Sequence, residues 1–217
     1  MKISKDTIAI LKNYASINSN LLLTAGNKLR TTSTNKTIAS TVTVAETFPV
    51  DFGIYDLNAF LGALSLFDDP ELVFEDKFVN IQENGNRIRY YAADASILVT
   101  PKKDIVFPAA DITFDLSDAL YNTIHRTAGV LKASDLSIIG DGSELVLNIG
   151  DKKNNTSNSY QTVVGTTDKT FKANIKIENL KLLNANYKVT IHSKIARFES
   201  TSGDLVYYSA IEADSSF

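Results

Sequence analysis

The chain contains no cysteine. That excludes a disulfide framework and a thiolate metal site, and it fits a reducing compartment. It has two histidines, His125 and His192, which are too far apart for a spaced pair of the HExxH kind. Both read as solvated or structural. No apolar run reaches the ~18 residues that a membrane-spanning helix needs. The opening residues lack the apolar core of a secretory leader, because Asp6, Lys12 and Asn13 interrupt it, so none is expected. The triplet Asn154-Asn155-Thr156 then reads as plain loop sequence. Basic residues are not in excess: 22 Lys and Arg stand against 25 Asp and Glu, a net charge of −3. Domains that bind nucleic acid in general are basic, so any cationic surface must be sorted to one face.

Catalytic signatures are missing too. "GNKLRTTS" and "GTTDKT" lack the spacing of a phosphate-binding loop, and there is no GxSxG elbow. Asp68, Asp69 and Glu71 in "FDDPEL" are the right type of residue for a divalent cation. Pro70 and the strand that follows make a solvated turn the better account. "GDGSE" (140–144) lacks the further ligands of a calcium loop and reads as a hairpin turn. The expectation is no enzyme activity, no metal and no cofactor.

What the chain has is a repeat. Its 217 residues, 44% of them apolar, suit one large domain or two small ones. In "VDFGIYDLNAFLGALSLF" (50–67), "DITFDLSDALYNTIHRTAGVL" (111–131) and "ANIKIENLKLL" (173–183), an alternating strand runs into a helix. Asp56, Ser117 with Asp118, and Glu178 stand where a helix start needs a cap or a negative charge. Met1 and Ile3, followed by Ser4 and Asp6, fit as a fourth copy. After each helix come three apolar runs cut by turn residues. The unit is therefore strand, helix and a three-strand meander, with helix starts roughly every 50–60 residues. Two units sharing a core make a domain of ~100 residues.

The expected fold class is α+β, with two similar domains per chain and the helices on one side of the sheets. The boundaries read as an N-terminal domain over 1–100, a connector over 101–111 and a C-terminal domain over 112–217. The prolines and charges of "TPKKDIVFPAAD" mark the connector. A generic α+β protein with coincidental periodicity is the competing reading.

The first helix sorts its charges. At 100° per residue, Ile8, Ile10, Leu11, Tyr14 and Ala15 share one arc, and Lys5 and Lys12 point the opposite way. In the third helix Leu120, Tyr121, Ile124, Ala128 and Leu131 form the apolar arc, with Asn122 and Arg126 opposite. Lys181 points outward from a short fourth helix. Lys2, Lys28, Arg30 and Lys132 lie at helix ends or nearby turns and can join the same surface. The second helix, Asp56 to Phe67, carries no basic residue. Spread cations of this kind meet phosphates without reading bases.

"MKISKDTIAILKNYASIN", "IYDLNAFLGALSLF", "VFPAAD" and "LVYYSAIEADSSF", in that order, resemble the sliding clamps of T-even-type bacteriophages, the processivity factors of the phage DNA polymerases. The resemblance runs the length of the chain and is weakest in the middle loops. It implies a homotrimer closed head to tail around duplex DNA, with helices lining the hole and sheets outside. It also implies a clamp-loader ATPase that opens the ring, a DNA polymerase docked by a short peptide, no catalysis, and a place in the cytoplasm of the infected bacterial host. On this basis Lys2, Lys5, Lys12, Lys28, Arg30, Arg126, Lys132 and Lys181 are the expected DNA-facing residues. Ile105, Val106, Phe107 and Pro108, with Ala210 and Ile211 opposite, are the expected pocket for partner peptides. Edge strands near 86–91 and 158–165 are expected at the subunit contact. The alternatives are a phage structural or adaptor protein with a duplicated strand-rich fold, and a hydrolase using Asp68, Asp69 and Glu71.

Overall fold

Ser4 starts the first helix. In the computed structural model, which describes residues 1–154 and 156–217, its Oγ accepts the Thr7 N–H at 3.2 Å and α1 (Lys5–Ile17) follows. Asn155, part of the expected loop triplet, lies outside the described residues. The chain divides into two units, Met1–Asp104 and Ile105–Phe217. No regular element occupies 101–111.

In the first unit α1 leads to β1 (Leu21–Leu23), β2 (Gly26–Thr32) and β3 (Ile38–Phe48). Then β4 (Phe52–Ile54), α2 (Leu57–Leu64), β5 (Glu71–Phe74), β6 (Phe78–Glu83) and β7 (Asn86–Tyr91) repeat the pattern. β1 pairs with β4, β2 with β3, and β5-β6-β7 form a meander, all antiparallel. Leu11, Tyr14, Leu21, Leu29, Phe52 and Phe60 are fully or almost fully buried and make the core. Each such side chain contributes about 1.5–3 kcal/mol on burial. Gly53 is required by close approach: a Cβ there would meet the Ala93 carbonyl oxygen at 2.2 Å.

The second unit begins with β8 (Ile112–Leu116) and α3 (Asp118–Leu131), followed by β9 (Asp135–Asp141), β10 (Glu144–Gly150) and β11 (Tyr160–Thr166). β12 (Thr170–Lys176), β13 (Tyr187–His192), β14 (Ile195–Ser200) and β15 (Leu205–Ala210) complete it. One sheet runs β11-β10-β9-β12; β8, β13, β14 and β15 pair in a second. "GDGSE" is the β9–β10 hairpin turn. Asp141 accepts the Ser143 and Glu144 N–H groups at 2.9 and 2.7 Å, and those bonds lower its pKa. Gly142 turns there at φ +89°.

The architecture is α+β in two similar halves, with two differences from the sequence expectation. Residues 1–4 form no strand, although Met1 and Leu72 exchange two backbone hydrogen bonds of 2.7 Å. The fourth helix is reduced to one 3-10 turn, Ile177–Asn179. Leu180 and Leu182 are both buried, an alternation that a helix cannot give. Their backbone groups go to Tyr121 of α3 instead. Its hydroxyl lies 2.8 and 3.0 Å from the Leu180 and Leu182 carbonyls, shares its proton between them, and accepts the Leu182 N–H at 3.0 Å. Burial pushes this phenol up to about 12. Removing the hydroxyl orphans buried backbone groups, so Tyr121→Phe is expected to lose about 1–3 kcal/mol of unfolding free energy in urea titration.

Candidate nucleic-acid interface

The start of α1 is fixed by a carboxylate on β3. Glu46 accepts the Ser4 N–H at 2.5 Å and the Thr7 hydroxyl at 2.6 Å. Burial raises its pKa, the hydrogen bonds from Thr7 and Ser4 lower it, and the net shift is down. The helix then buries Thr7, Leu11, Tyr14 and Ile17, with the Tyr14 hydroxyl 3.0 Å from Ser40 Oγ of β3. Ile8 and Ile10 are only half-buried, so the buried stripe is rotated from the arc expected. Lys5 and Lys12 remain on the outer side. They are exposed, two turns and about 10 Å apart along the axis. Among the described residues no carboxylate stands within ion-pair distance of either.

α2 beside it offers Asn58, Ala59, Gly62 and Ser65 to solvent, a neutral face. Its N-cap Asp56 accepts the Asn58 and Ala59 N–H groups at 3.0 Å.

In the second unit α3 is capped by Ser117, whose Oγ accepts the Leu120 N–H at 3.2 Å, and ends at Lys132 in the left-handed conformation, φ 52°. It buries Tyr121, Ile124 and Ala128; Leu120 and Leu131 are only half-buried. Asn122, Arg126 and Lys132 are exposed, and so is Lys181 beyond the 3-10 turn. His125 belongs to the packing rather than to this face. Its Nε2 lies 3.0 Å from the Leu180 carbonyl, its ring meets Tyr121 edge-on at 4.6 Å, and burial lowers its pKa.

Three of the residues expected to face DNA have other surroundings. Lys2 is ion-paired with Asp69, which raises its pKa. Lys28 and Arg30 alternate with Leu29 and Thr31 along β2. Thr31 pairs with Ser40, the residue under Tyr14, so α1 covers the Leu29–Thr31 face and Lys28 and Arg30 stand on the other. Arg30 is held by Asp104 at 2.9 Å. Asp68 and Asp69 form a turn whose two N–H groups donate to Glu83 at 2.9 and 3.0 Å.

The expected peptide pocket is an apolar strip beside β15. The Phe107 ring lies 6.3 Å from Tyr208, with the Arg197 guanidinium 5.3 Å from its centroid. Ile105 and Pro108 are exposed, and Val106 is 90% exposed. Ala210 is half-buried; Ile211 is buried and donates its N–H to Lys194 at 3.1 Å. The Glu46 staple and a buried ion cluster around Asp135 had no signal in the sequence, because each joins residues far apart in the chain.

The family described as DNA polymerase processivity factor matches residues 4–100, and the family described as gp45 sliding clamp, C terminal, matches residues 114–213. The sliding clamp of Vibrio phage KVP40 is 33% identical over 98% of this chain and 100% of its own length. That of Enterobacteria phage T4 is 33% identical over 99% of this chain and 98% of its own. Among solved structures, A. fulgidus PCNA bound to the C-terminal region of FEN-1 shares the fold with a TM-score of 0.67 at 12% identity, covering 95% of each chain.

Proposed function

This chain belongs to the sliding-clamp family of phage DNA polymerase processivity factors, and from that premise we propose that three copies close head to tail into a ring around duplex DNA and tether the replicative polymerase. The observation that carries this reading is a pair of unlike open edges. β7 ends one sheet in the first unit and β11 ends one in the second, and neither outer edge has a partner strand among the described residues. An open edge is a template for another chain. Two different edges on one chain join heterologously and close when the rotation allows. We assign the subunit contact to β7 and β11.

The hole then presents Lys5, Lys12, Arg126, Lys132 and Lys181 to the duplex. Four of these five are lysines, point charges that meet phosphates rather than base edges. Contacts of this kind are sequence-independent and salt-sensitive. Lys28 and Arg30 are left out of this set, and Lys2 shares its charge with Asp69. The ring does no chemistry: it converts polymerase binding into an event at high effective concentration. A clamp-loader ATPase opens it, in the cytoplasm of the infected bacterium. Partner peptides rest on the strip of Ile105 to Pro108, Ala210 and Ile211. A. fulgidus PCNA, in the same fold, is described as bound to a segment of FEN-1.

Light scattering over a dilution series tests the ring. A mass of three 23.8 kDa chains that falls on dilution is expected. Val163 of β11 is 54% exposed, and Val163→Lys sets a new cation against Arg87 and Arg89 of β7. That variant is expected to be monomeric at concentrations where the parent is trimeric. A parent that is monomeric throughout would remove the ring. A Val163→Lys trimer as stable as the parent would move the contact off β11.

A further inference from the structure

Residues 212–217 lie along the open edge of β12. The Glu212 N–H donates to the Asn174 carbonyl at 2.9 Å, and Ser216 and Lys172 exchange two backbone bonds of 2.8 and 2.9 Å. Ser215 Oγ accepts the Asn174 N–H at 3.0 Å. Between these contacts the segment turns, with the Ser215 N–H donating to the Glu212 carbonyl at 3.1 Å. Two side chains anchor it. Asp214 receives the Lys152 ammonium at 2.7 Å, and Lys152 is a nearly buried lysine 3.8 Å from Glu212. Phe217 stacks on Phe171, with rings 6.0 Å apart and 7° from parallel. Beside that stack lies an open trough of about 280 Å3, lined by Ala110, Ile112, Phe171, Ile191, His192 and Phe217. Phe217 is 52% exposed, and the trough beside it stays open.

We propose that this seat is an exchangeable docking site whose resident occupant is the chain's own segment, and that the partner it takes is an acidic peptide that makes the same turn, with an aromatic residue three positions after a carboxylate. Each part of the seat reads one feature of such a peptide. Asn174 and Lys172 on the β12 edge read the backbone on either side of the turn, Lys152 reads the carboxylate, and Phe171 with the trough reads the ring. The resident segment is a tethered competitor, present at the millimolar effective concentration of a short linker. It covers the strand edge when no partner is there, which guards against unwanted pairing. That a clamp partner is the physiological competitor rests on the proposed function; the seat itself does not.

The test uses a fluorescein-labelled peptide of the sequence Glu212–Phe217 and the full-length protein, followed by anisotropy. Ser216→Pro/Phe217→Ala removes one bridging N–H and the ring, both at the surface, and thermal unfolding checks that the variant folds. The peptide is expected to bind this variant saturably, and at least about tenfold more tightly than it binds the parent, whose own segment competes. Amide exchange at Lys172 is expected to speed up in the variant and to slow again when the peptide is added. Equal binding to the two proteins, no saturable binding to the variant, or binding without renewed protection at Lys172 would each overturn the proposal. None of these readouts depends on trimer formation or DNA, so failure of the ring reading is seen separately, in solution mass.

Discussion

Lys5→Glu/Lys12→Glu is expected to cut processive synthesis at physiological salt by on the order of a hundredfold, while thermal unfolding and trimer mass stay at the parent's values. The two lysines are exposed on one side of α1, opposite the stripe of Thr7, Leu11, Tyr14 and Ile17 that holds the helix in place. Their replacement removes no packing. In the proposed ring, what it changes is the field in the hole, where each subunit exchanges two attractive charges for two repulsive ones. Loading of the parent onto circular DNA should fall steeply with salt, because each lysine that neutralises a phosphate releases counterions. The variant should show a nearly flat dependence and poor loading even at low salt. Lys28→Glu/Arg30→Glu is the control. Those residues stand on the β2 face turned away from α1, so polymerase stimulation should persist. Full stimulation by the Lys5/Lys12 variant across the salt range would remove these residues from the DNA path.

The contrast between those two pairs shows what the sequence could and could not reveal. The exposed placement of Lys5 and Lys12 was legible because a helix with a capping serine and a heptad spacing leaves one choice of face. The capped starts at Ser4, Asp56 and Ser117 were legible for the same reason: the cap chemistry is local. So was the strand–helix–meander order, since each turn carries its own residues. Lys28 and Arg30 were not legible. Their side depends on which face of β2 lies under α1, and that is set by Thr31 pairing with Ser40 and by Tyr14 reaching Ser40. Nothing near Lys28 in the chain reports it. The fourth helix failed for a related reason. "ENLKLL" is compatible with a helix locally, but the Tyr121 hydroxyl on α3 supplies the bonds that let Leu180–Leu182 stay extended. Nor did anything in residues 212–217 announce a bridge to the β12 edge, because the pairing partner is Lys172.

Asp135→Ala is expected to lose about 3–5 kcal/mol of unfolding free energy at pH 7, the range for breaking a buried ion pair from one side. Asp135 is 1% exposed at the start of β9. Its carboxylate receives Lys176 Nζ at 2.7 Å and Ser134 Oγ at 2.5 Å, with Lys152 Nζ at 3.8 Å. The alanine variant leaves two lysines that were partly balanced by this group facing an apolar gap. The pH dependence has a definite sign. Burial raises the pKa of Asp135, hydrogen bonds from Lys176 and Ser134 and the Lys176 charge lower it, and the net direction is down. A carboxylate depressed on folding stabilises above its unfolded pKa of about 4 and loses that contribution as pH falls through its folded value. The gap in stability between parent and Asp135→Ala should therefore be full at pH 7 and narrow below pH of about 4. Asp135→Asn, which keeps the volume and one acceptor, should fall between the two proteins. Lys176→Met tests the coupling: if the pair acts as a unit, adding it to Asp135→Ala should recover part of the loss, because the stranded charge goes with it. A loss below about 1 kcal/mol for Asp135→Ala would mean the pair behaves like a solvated surface contact. The cluster would then not be what holds β9, β12 and the residues beyond Ile211 together.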